Sequence, residues 1–214
     1  MSFLNPIREK EPTKPLGKQL GYGLFILVLG AALGFFSKFL DCCPSNRLPG
    51  FLEELDVRNF LGRFALWVLI GLWLSVSSRS PRCAAVHVFL FFFGMVSAYY
   101  LYSASIAGFF PRRYAMVWFG FTAASPLLAY FCWYAGGKGI VSFFLSVILL
   151  AVLFWCSFVG GWCDVRPRSL LELLTFFGGL AVLQRNRLKA TAFMTLLGIG
   201  LGCVLLSVVP FHFG

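Results

Sequence analysis

The sequence predicts an all-α protein, a transmembrane helical bundle of six to seven spans, with seven preferred and the sixth short. The first observation is composition: of the 214 residues, 59% are hydrophobic and 12% are charged, and the mean hydropathy is +0.84. A soluble domain is about a quarter charged, so this chain has too little polar surface to face water. The second observation is that the charges divide the chain into uncharged windows, most of them near the roughly 20 residues that cross a hydrocarbon core.

Five of these windows are long enough to span without help, at 19–37, 83–111, 114–137, 139–163 and 190–214. One further window, the second in chain order, lies between Arg63 and Arg79 and holds only 15 uncharged residues. This span is therefore predicted to begin near Phe60, with the long side chain of Arg63 reaching toward the headgroups. Residues 1–18 carry three prolines and mixed charge, which predicts a disordered basic cytoplasmic tail. Residues 19–214 are predicted to form a single transmembrane helical domain.

The remaining window, 169–184, begins with Ser169 and Glu172, whose Ser-x-x-Glu spacing is typical of a helix start. At ~1.5 Å per residue it reaches about 24 Å, less than a full hydrocarbon core. The basic residues favour counting it as a span. With seven spans and a cytoplasmic N-terminus, ten Lys and Arg lie inside and eight outside, whereas six spans give seven against eleven. The turn 79–82 and the segment 185–189 are therefore predicted to be cytoplasmic.

Several aromatic and small residues fall at characteristic places in these spans: Trp67 in the second, Ala84 and Ala85 opening the third, Tyr99 and Tyr100 closing it, and Trp118 in the fourth. In these features the chain resembles an uncharacterised family of small bacterial polytopic membrane proteins. The resemblance implies a protein of the bacterial cytoplasmic (inner) membrane, and the distribution of Lys and Arg predicts that the N-terminus of this multi-pass protein is cytoplasmic. The resemblance implies no activity.

Aromatic and charged residues cluster at the predicted outer ends of the third to sixth spans. The candidate ligand-binding set is Tyr99, Tyr100, Arg112, Arg113, Tyr114, Trp118, Trp162, Asp164 and Glu172. Aromatic faces, two arginines for an anion and two acids for an amine suit a small-molecule pocket. The alternative is an interfacial aromatic belt with orientation charges. Glu172 is a functional candidate because an ionisable group within a membrane span is costly.

Two glycine pairs permit close helix approach, Gly30 with Gly34 in the first span and Gly198 with Gly202 in the last. They are candidate helix-packing positions, either inside the bundle or against a partner subunit. Outside the spans, residues 48–59 are predicted to form one interfacial helix on the outer surface.

The sequence predicts neither catalysis nor a cofactor. Seven cysteines contain no Cys-x-x-Cys pair, and two histidines do not complete a usual zinc set. Cys163 is placed to pair with Cys42 or Cys43 near the outer face, with free thiols as the alternative. Glu53, Glu54 and Arg58 resemble the first motif of the CAAX-protease-like family, but the Phe-x-x-x-His motif of that family is missing. No basic run of five residues exists, so nucleic acid is not an expected partner.

Small-molecule binding or transport across the cytoplasmic membrane is the leading functional hypothesis. In size and span number the chain resembles the S components of energy-coupling-factor importers. The alternative is a non-catalytic scaffold or regulatory partner of another membrane complex. The expected partners are the lipid bilayer and either another membrane subunit or a second copy of the chain.

Overall fold

A computed structural model describes residues 7–12, 15–44, 49–160 and 164–209. Within these residues the chain forms nine helices and one minimal strand pair. The helices are α1 (Leu16–Cys42), α2 (Gly50–Glu54), α3 (Val57–Gly62), α4 (Phe64–Ser77), α5 (Pro81–Ser105), α6 (Arg112–Ala135), α7 (Gly139–Ser157), α8 (Leu170–Leu183) and α9 (Leu188–Val208). Strand β1 (Phe158–Val159) pairs antiparallel with β2 (Arg166–Pro167) in the connection from α7 to α8.

Five of the helices, α1, α5, α6, α7 and α9, are long and apolar enough to cross a membrane. The shorter α4 and α8 are also apolar and have 14 residues each. The prediction of an all-α protein with membrane-compatible helices is thus confirmed. Apolar side chains are exposed on the outside of the bundle, for example Leu24, Leu101 and Leu196. Their exposure to lipid carries no free-energy penalty because lipid tails are as apolar as leucine.

Helices α1 and α5 pack with their backbones in contact. A Cβ at Gly30 would lie 2.1 Å from the carbonyl oxygen of Phe91, and one at Gly34 would lie 2.1 Å from that of Met95. From the other side, a Cβ at Gly94 would lie 2.3 Å from a backbone oxygen of α1. A side chain at any of these positions would push the helices apart, so the glycines set the α1–α5 distance.

The second glycine pair lies where α9 packs on α7. A Cβ at Gly198 would lie 3.0 Å from the side chain of Leu150, and one at Gly202 would lie 2.6 Å from that of Phe154. Both predicted glycine pairs therefore lie at helix contacts within this one chain.

Two arginines hold together one end of the bundle, which we call the clasped end and which comprises residues 7–12, 78–80, 136–138 and 184–187. Arg8 donates to the carbonyl oxygens of Val76 and Trp133, each at 2.8 Å. Arg185 donates to the carbonyls of Ala135, Gly137 and Ser142 and to the hydroxyls of Ser142 and Ser146, at distances from 2.7 to 3.3 Å. Burial lowers the pKa of both guanidinium groups. Carbonyls that a helix terminus leaves unpaired are thereby satisfied.

The segment predicted to be a disordered tail takes part in this clasp. Its residue Ile7 accepts a hydrogen bond from the backbone N–H of Lys138 at 2.7 Å, and the N–H of Glu11 donates to the carbonyl of Arg79 at 3.0 Å. Helix α1 begins at Leu16, within the predicted tail rather than after residue 18. Residues 7–12 lie against the bundle because the ends of its helices leave backbone groups unpaired. The sequence pattern does not predict which segment will bind these groups.

The prediction of one interfacial helix over 48–59 is wrong. Helices α2 and α3 are separate, since Asp56 between them has a left-handed backbone with φ of 52°. The carboxylate of Asp56 accepts from Asn59 at 2.6 Å and pairs with Arg63 at 3.2 Å. These side-chain bonds compete with continuation of the helix.

Candidate functional site

A small cavity of about 50 Å³ lies at the end of the bundle opposite the clasp, which we call the cavity end. Residues of α1, α3, α4, α5 and α6 line it. Its lining residues are Gly34, Ser37, Leu61, Gly62, Trp67, Met95, Val96, Tyr99, Tyr100, Tyr114 and Trp118. A volume of this size accommodates roughly a few water molecules. Most of its wall is aromatic or aliphatic, with hydroxyl groups from serine and tyrosine.

One wall of the cavity is a break between two helices. Helix α3 ends at Gly62 and α4 begins at Phe64, because Arg63 between them is extended (φ −94°, ψ 164°). The indole N–H of Trp67, which is buried, donates to the carbonyl of Leu61 at 3.0 Å and so satisfies a group that the break leaves free. Broken helices at membrane depth are tolerated where the exposed backbone lines a cavity.

Tyr100, one of the lining residues, has a buried hydroxyl. The residue is 3% exposed, and within the described part of the chain its hydroxyl oxygen has no hydrogen-bond partner. Its ring is held by neighbouring rings, with centroids 5.2 Å from Tyr99 and 5.7 Å from Phe110. An unpaired buried hydroxyl costs about 1–3 kcal/mol. The Tyr100 hydroxyl is therefore the group at this site with an unmet need for a partner.

The rim of the cavity carries an ion pair whose two residues, Lys38 and Asp41, were not among the predicted site residues. Lys38 of α1 is 5% exposed, and its Nζ lies 2.5 Å from Oδ2 of Asp41. The Tyr99 hydroxyl donates to the same carboxylate oxygen at 3.2 Å. The Lys38 ammonium also lies 5.0 Å from the Tyr99 ring centroid, within the range of a cation–π contact. The Lys-x-x-Asp spacing at the end of the first span was the available signal.

Beside the cavity, Glu172 of α8 is fully buried and binds Arg63. Its Oε1 lies 2.7 Å from Arg63 Nη1, while the second Arg63 nitrogen lies 3.2 Å from Asp56. The Ser169 hydroxyl donates to the other oxygen of Glu172. The Ser-x-x-Glu pair thus starts the helix as predicted, but Ser169 makes no side-chain bond to the backbone of the first turn. The Glu172 carboxylate is instead bound by Arg63 and by the Ser169 hydroxyl.

The positive charge near this pair extends to Arg168. Burial, followed by the nearby charge of Arg63, lowers the pKa of Arg168, and Glu172 acts in the opposite direction. Since arginine stays protonated in proteins, the consequence is an excess of positive charge around one carboxylate. Through its contact with Arg63, Glu172 anchors α8 to the α3–α4 break.

The predicted ligand-binding residues fall into separate groups. Tyr99, Tyr100, Tyr114 and Trp118 line the cavity, and their role in ligand binding stays a prediction. Arg112 and Arg113 are exposed at the start of α6, and Asp164 is exposed in the α7–α8 connection. None of these three is among the lining residues. Glu172 lies with Arg63, and Trp162 lies outside the described residues, as does Cys163.

The described histidine, cysteine and acidic residues form no cluster that could bind a metal ion. Among the residues that the structure describes, no group of three or more His, Cys, Asp or Glu side chains is placed to hold a metal ion. Cys42 and Cys43 form no disulfide with another described cysteine, and their predicted pairing with Cys163, which lies outside the described residues, stays a prediction.

As it stands, the cavity is a small, mainly apolar space with aromatic side chains in its lining. The buried Tyr100 hydroxyl, on one of the lining residues, is the polar group there that has no partner among the described residues. The resemblance to a family of small bacterial membrane proteins stays a prediction, because comparison with known protein families, with curated proteins and with solved structures finds no match.

Proposed function

We propose that this chain is a multi-pass protein of the bacterial cytoplasmic membrane that binds a small molecule at the cavity end and serves its transport. The proposal includes seven spans with the clasped end in the cytoplasm. Three turns, 78–80, 136–138 and 184–187, lie together at the clasped end with residues 7–12. This placement supports α4 and α8 each running from one end of the bundle to the other, and the count of basic residues supports the orientation.

The observation that carries the binding proposal is the unpaired buried hydroxyl of Tyr100, a residue that lines the cavity. Buried polar groups in proteins nearly always find a partner. A ligand with a hydrogen-bond acceptor would supply one, and the rings of Trp67 and Trp118 would pack against its apolar body. Neither the Lys38 nor the Glu172 charge is open to a ligand, since each is already paired. An uncharged ligand, planar and aromatic, therefore suits the cavity best.

The walls can also widen. Tyr114 and Trp118 lie on α6, one of the two least buried of the five long helices, and Tyr114 itself is about half exposed. A ligand larger than a few waters needs these two side chains to move outward. The α3–α4 break on the facing wall supports a transport role, because discontinuous helices commonly form the substrate sites of transporters.

Binding is testable with protein purified in detergent. A panel of small aromatic and heteroaromatic metabolites is screened for a rise in melting temperature, because a ligand of the folded state stabilises it by mass action. Changes in tryptophan fluorescence report contact with the cavity, which Trp67 and Trp118 line. We expect at least one compound to produce both effects. Failure of every compound in a broad panel would count against the binding proposal.

The variant Tyr100→Phe then separates the ligand's effect from a merely structural one. Removing the hydroxyl abolishes one hydrogen bond and should weaken binding by roughly 2- to 13-fold, while the apo protein keeps or gains stability. The matched control is Tyr102→Phe on the same helix, whose ring packs on Phe35 and does not line the cavity. Equal binding by the two variants would show that the Tyr100 hydroxyl does not hold the ligand.

A second candidate function, a non-catalytic partner in a membrane complex, is favoured by one observation. Helix α6 is little buried within the chain and turns Gly120, Ala123 and Ala124 outward. Small residues on a lipid-facing surface allow another helix to approach closely. A cysteine at Ala123 that cross-links to a second polypeptide in intact membranes would support this function. An unchanged monomer band under the same conditions would speak against it.

A further inference from the structure

A second, larger space lies at the clasped end, away from the aromatic cavity. It is a groove of about 450 Å³ between α1 and α5. Its apolar walls include Leu20, Leu24 and Leu27 of α1 and Val86 and Leu90 of α5. The groove has space because Gly23 presents no side chain to it. Since α1 and α5 are both long enough to cross a membrane, such a groove opens to the bilayer rather than to water.

The groove has the length of one leaflet. Its α1 wall extends from Leu16 to Leu27, which at ~1.5 Å per residue is about 16 Å. Half of a hydrocarbon core of roughly 30 Å is about 15 Å. The apolar part of the groove therefore matches the depth that one lipid chain occupies between the headgroup level and the middle of the membrane.

The end of the groove at the headgroup level is positively charged. Arg82 lines it there, and Lys18 is exposed nearby on α1. No Asp or Glu is among the lining residues, and the nearby Glu11 pairs with Arg79 at 3.7 Å. Among the described residues Arg82 has no ion-pair or hydrogen-bond partner. The positive N-terminal end of the α5 dipole lies beside it.

We propose that this groove is a binding site for one anionic phospholipid, with an acyl chain between α1 and α5 and the phosphate on Arg82. Most of the residues that line the groove are apolar, with Gln19 and His87 as the uncharged polar exceptions, and its one lining arginine lies at the mouth. This is the polarity of such a lipid. The proposal is independent of the ligand at the cavity end and needs only that α1 and α5 cross the bilayer side by side.

The test uses full-length protein stripped of co-purified lipid and then mixed with equal amounts of phosphatidylglycerol and phosphatidylcholine of the same acyl chains. Native mass spectrometry counts the lipids retained. We expect one phosphatidylglycerol per chain, preferred over phosphatidylcholine by about fivefold or more, because a basic side chain contributes about that factor to anionic lipid binding. Excess inorganic phosphate should not displace it. Displacement by phosphate would overturn the lipid assignment in favour of a free-anion site.

Matched variants localise the effect. Arg82→Ala should remove the preference for the anionic lipid, whereas Arg113→Ala, at the corresponding second position of α6 and at the opposite end, should keep it. Leu24→Trp fills the groove and should reduce retention of both lipids. Equal preference in the Arg82→Ala protein and the wild type would overturn the proposal. So would a dimer mass with no retained lipid, because a second copy would then cover the groove.

Discussion

The buried pair of Arg63 and Glu172 gives the sharpest prediction of stability. The change is Arg63→Ala, which leaves the fully buried carboxylate of Glu172 with the Ser169 hydroxyl as its one side-chain hydrogen-bond partner among the described residues. At 2.7 Å and an effective dielectric constant of about 20, the attraction between the two charges is about 6 kcal/mol. Desolvation of both groups offsets much of this attraction in the intact pair. Removal of one member leaves the other buried and unpaired, so its desolvation penalty is no longer offset by the attraction.

The expected loss is about 3 kcal/mol, the lower end of the usual 3–5 kcal/mol for breaking a buried pair. The lower end applies because the Arg63 side chain is 20% exposed, so water reaches the pair from one side. Unfolding free energies are measured by titrating SDS into mixed micelles and following helical circular dichroism. Arg113→Ala, an exposed arginine on α6, is the control and should change the free energy by less than about 0.5 kcal/mol.

A double-mutant cycle then tests whether the loss belongs to the pair. Glu172→Gln removes the negative charge and keeps a similar shape. The double variant should be less destabilised than the sum of the two single variants, by about 1–3 kcal/mol. Strict additivity would refute the reasoning, as would an Arg63→Ala protein as stable as the wild type.

Three further predictions concern helix contact, the clasp and topology. Gly34→Ala should destabilise the protein by about 1–3 kcal/mol, because its Cβ would lie 2.1 Å from a carbonyl oxygen of α5. Gly21→Ala, in open space on the same helix, should do no harm; equal effects in SDS titration would contradict this. Arg185→Ala should cost about 2–3 kcal/mol through unpaired helix-end groups, and a loss under 0.5 kcal/mol would contradict it. With native cysteines replaced, a cysteine at Asn186 should resist a membrane-impermeant thiol reagent in intact cells and one at Asp164 should react. Labelling at both Asp164 and Asn186 would exclude seven spans, because the two positions would then lie on the same side of the membrane.

The helices themselves were predictable because lipid leaves the backbone no partner except itself. Uncharged windows of spanning length therefore become helices, and the observed helices occupy all seven of the predicted windows or parts of them. The ends were less predictable. Helix α1 continues past Ser37 through Lys38 to Cys42, because the ammonium of Lys38 is neutralised by Asp41 one turn later. A charge ends a window in the sequence, but a paired charge does not end a helix.

The site was predictable only in its aromatic half. Tyr99, Tyr100, Tyr114 and Trp118 lie close to one another in neighbouring spans, so helix direction alone brings them to one end. The partners of the charges depend instead on packing between distant segments. Arg63 and Glu172 are 109 residues apart, and no local spacing connects them. Grouping Glu172 with the tyrosines by membrane depth placed it at the right end of the bundle, but its partner is Arg63.

The clasp has a consequence for the order in which the protein is assembled. Arg8 is synthesised long before the two carbonyl groups that it binds, which lie 68 and 125 residues later in the chain. During insertion, which proceeds from the N-terminus, residues 7–12 therefore wait at the membrane surface until α4 and α6 have both been placed. Their docking joins the start of the chain to the ends of α4 and α6. An early segment of the chain thus completes a late step of folding, and its arrival marks a bundle whose helix ends are already in position.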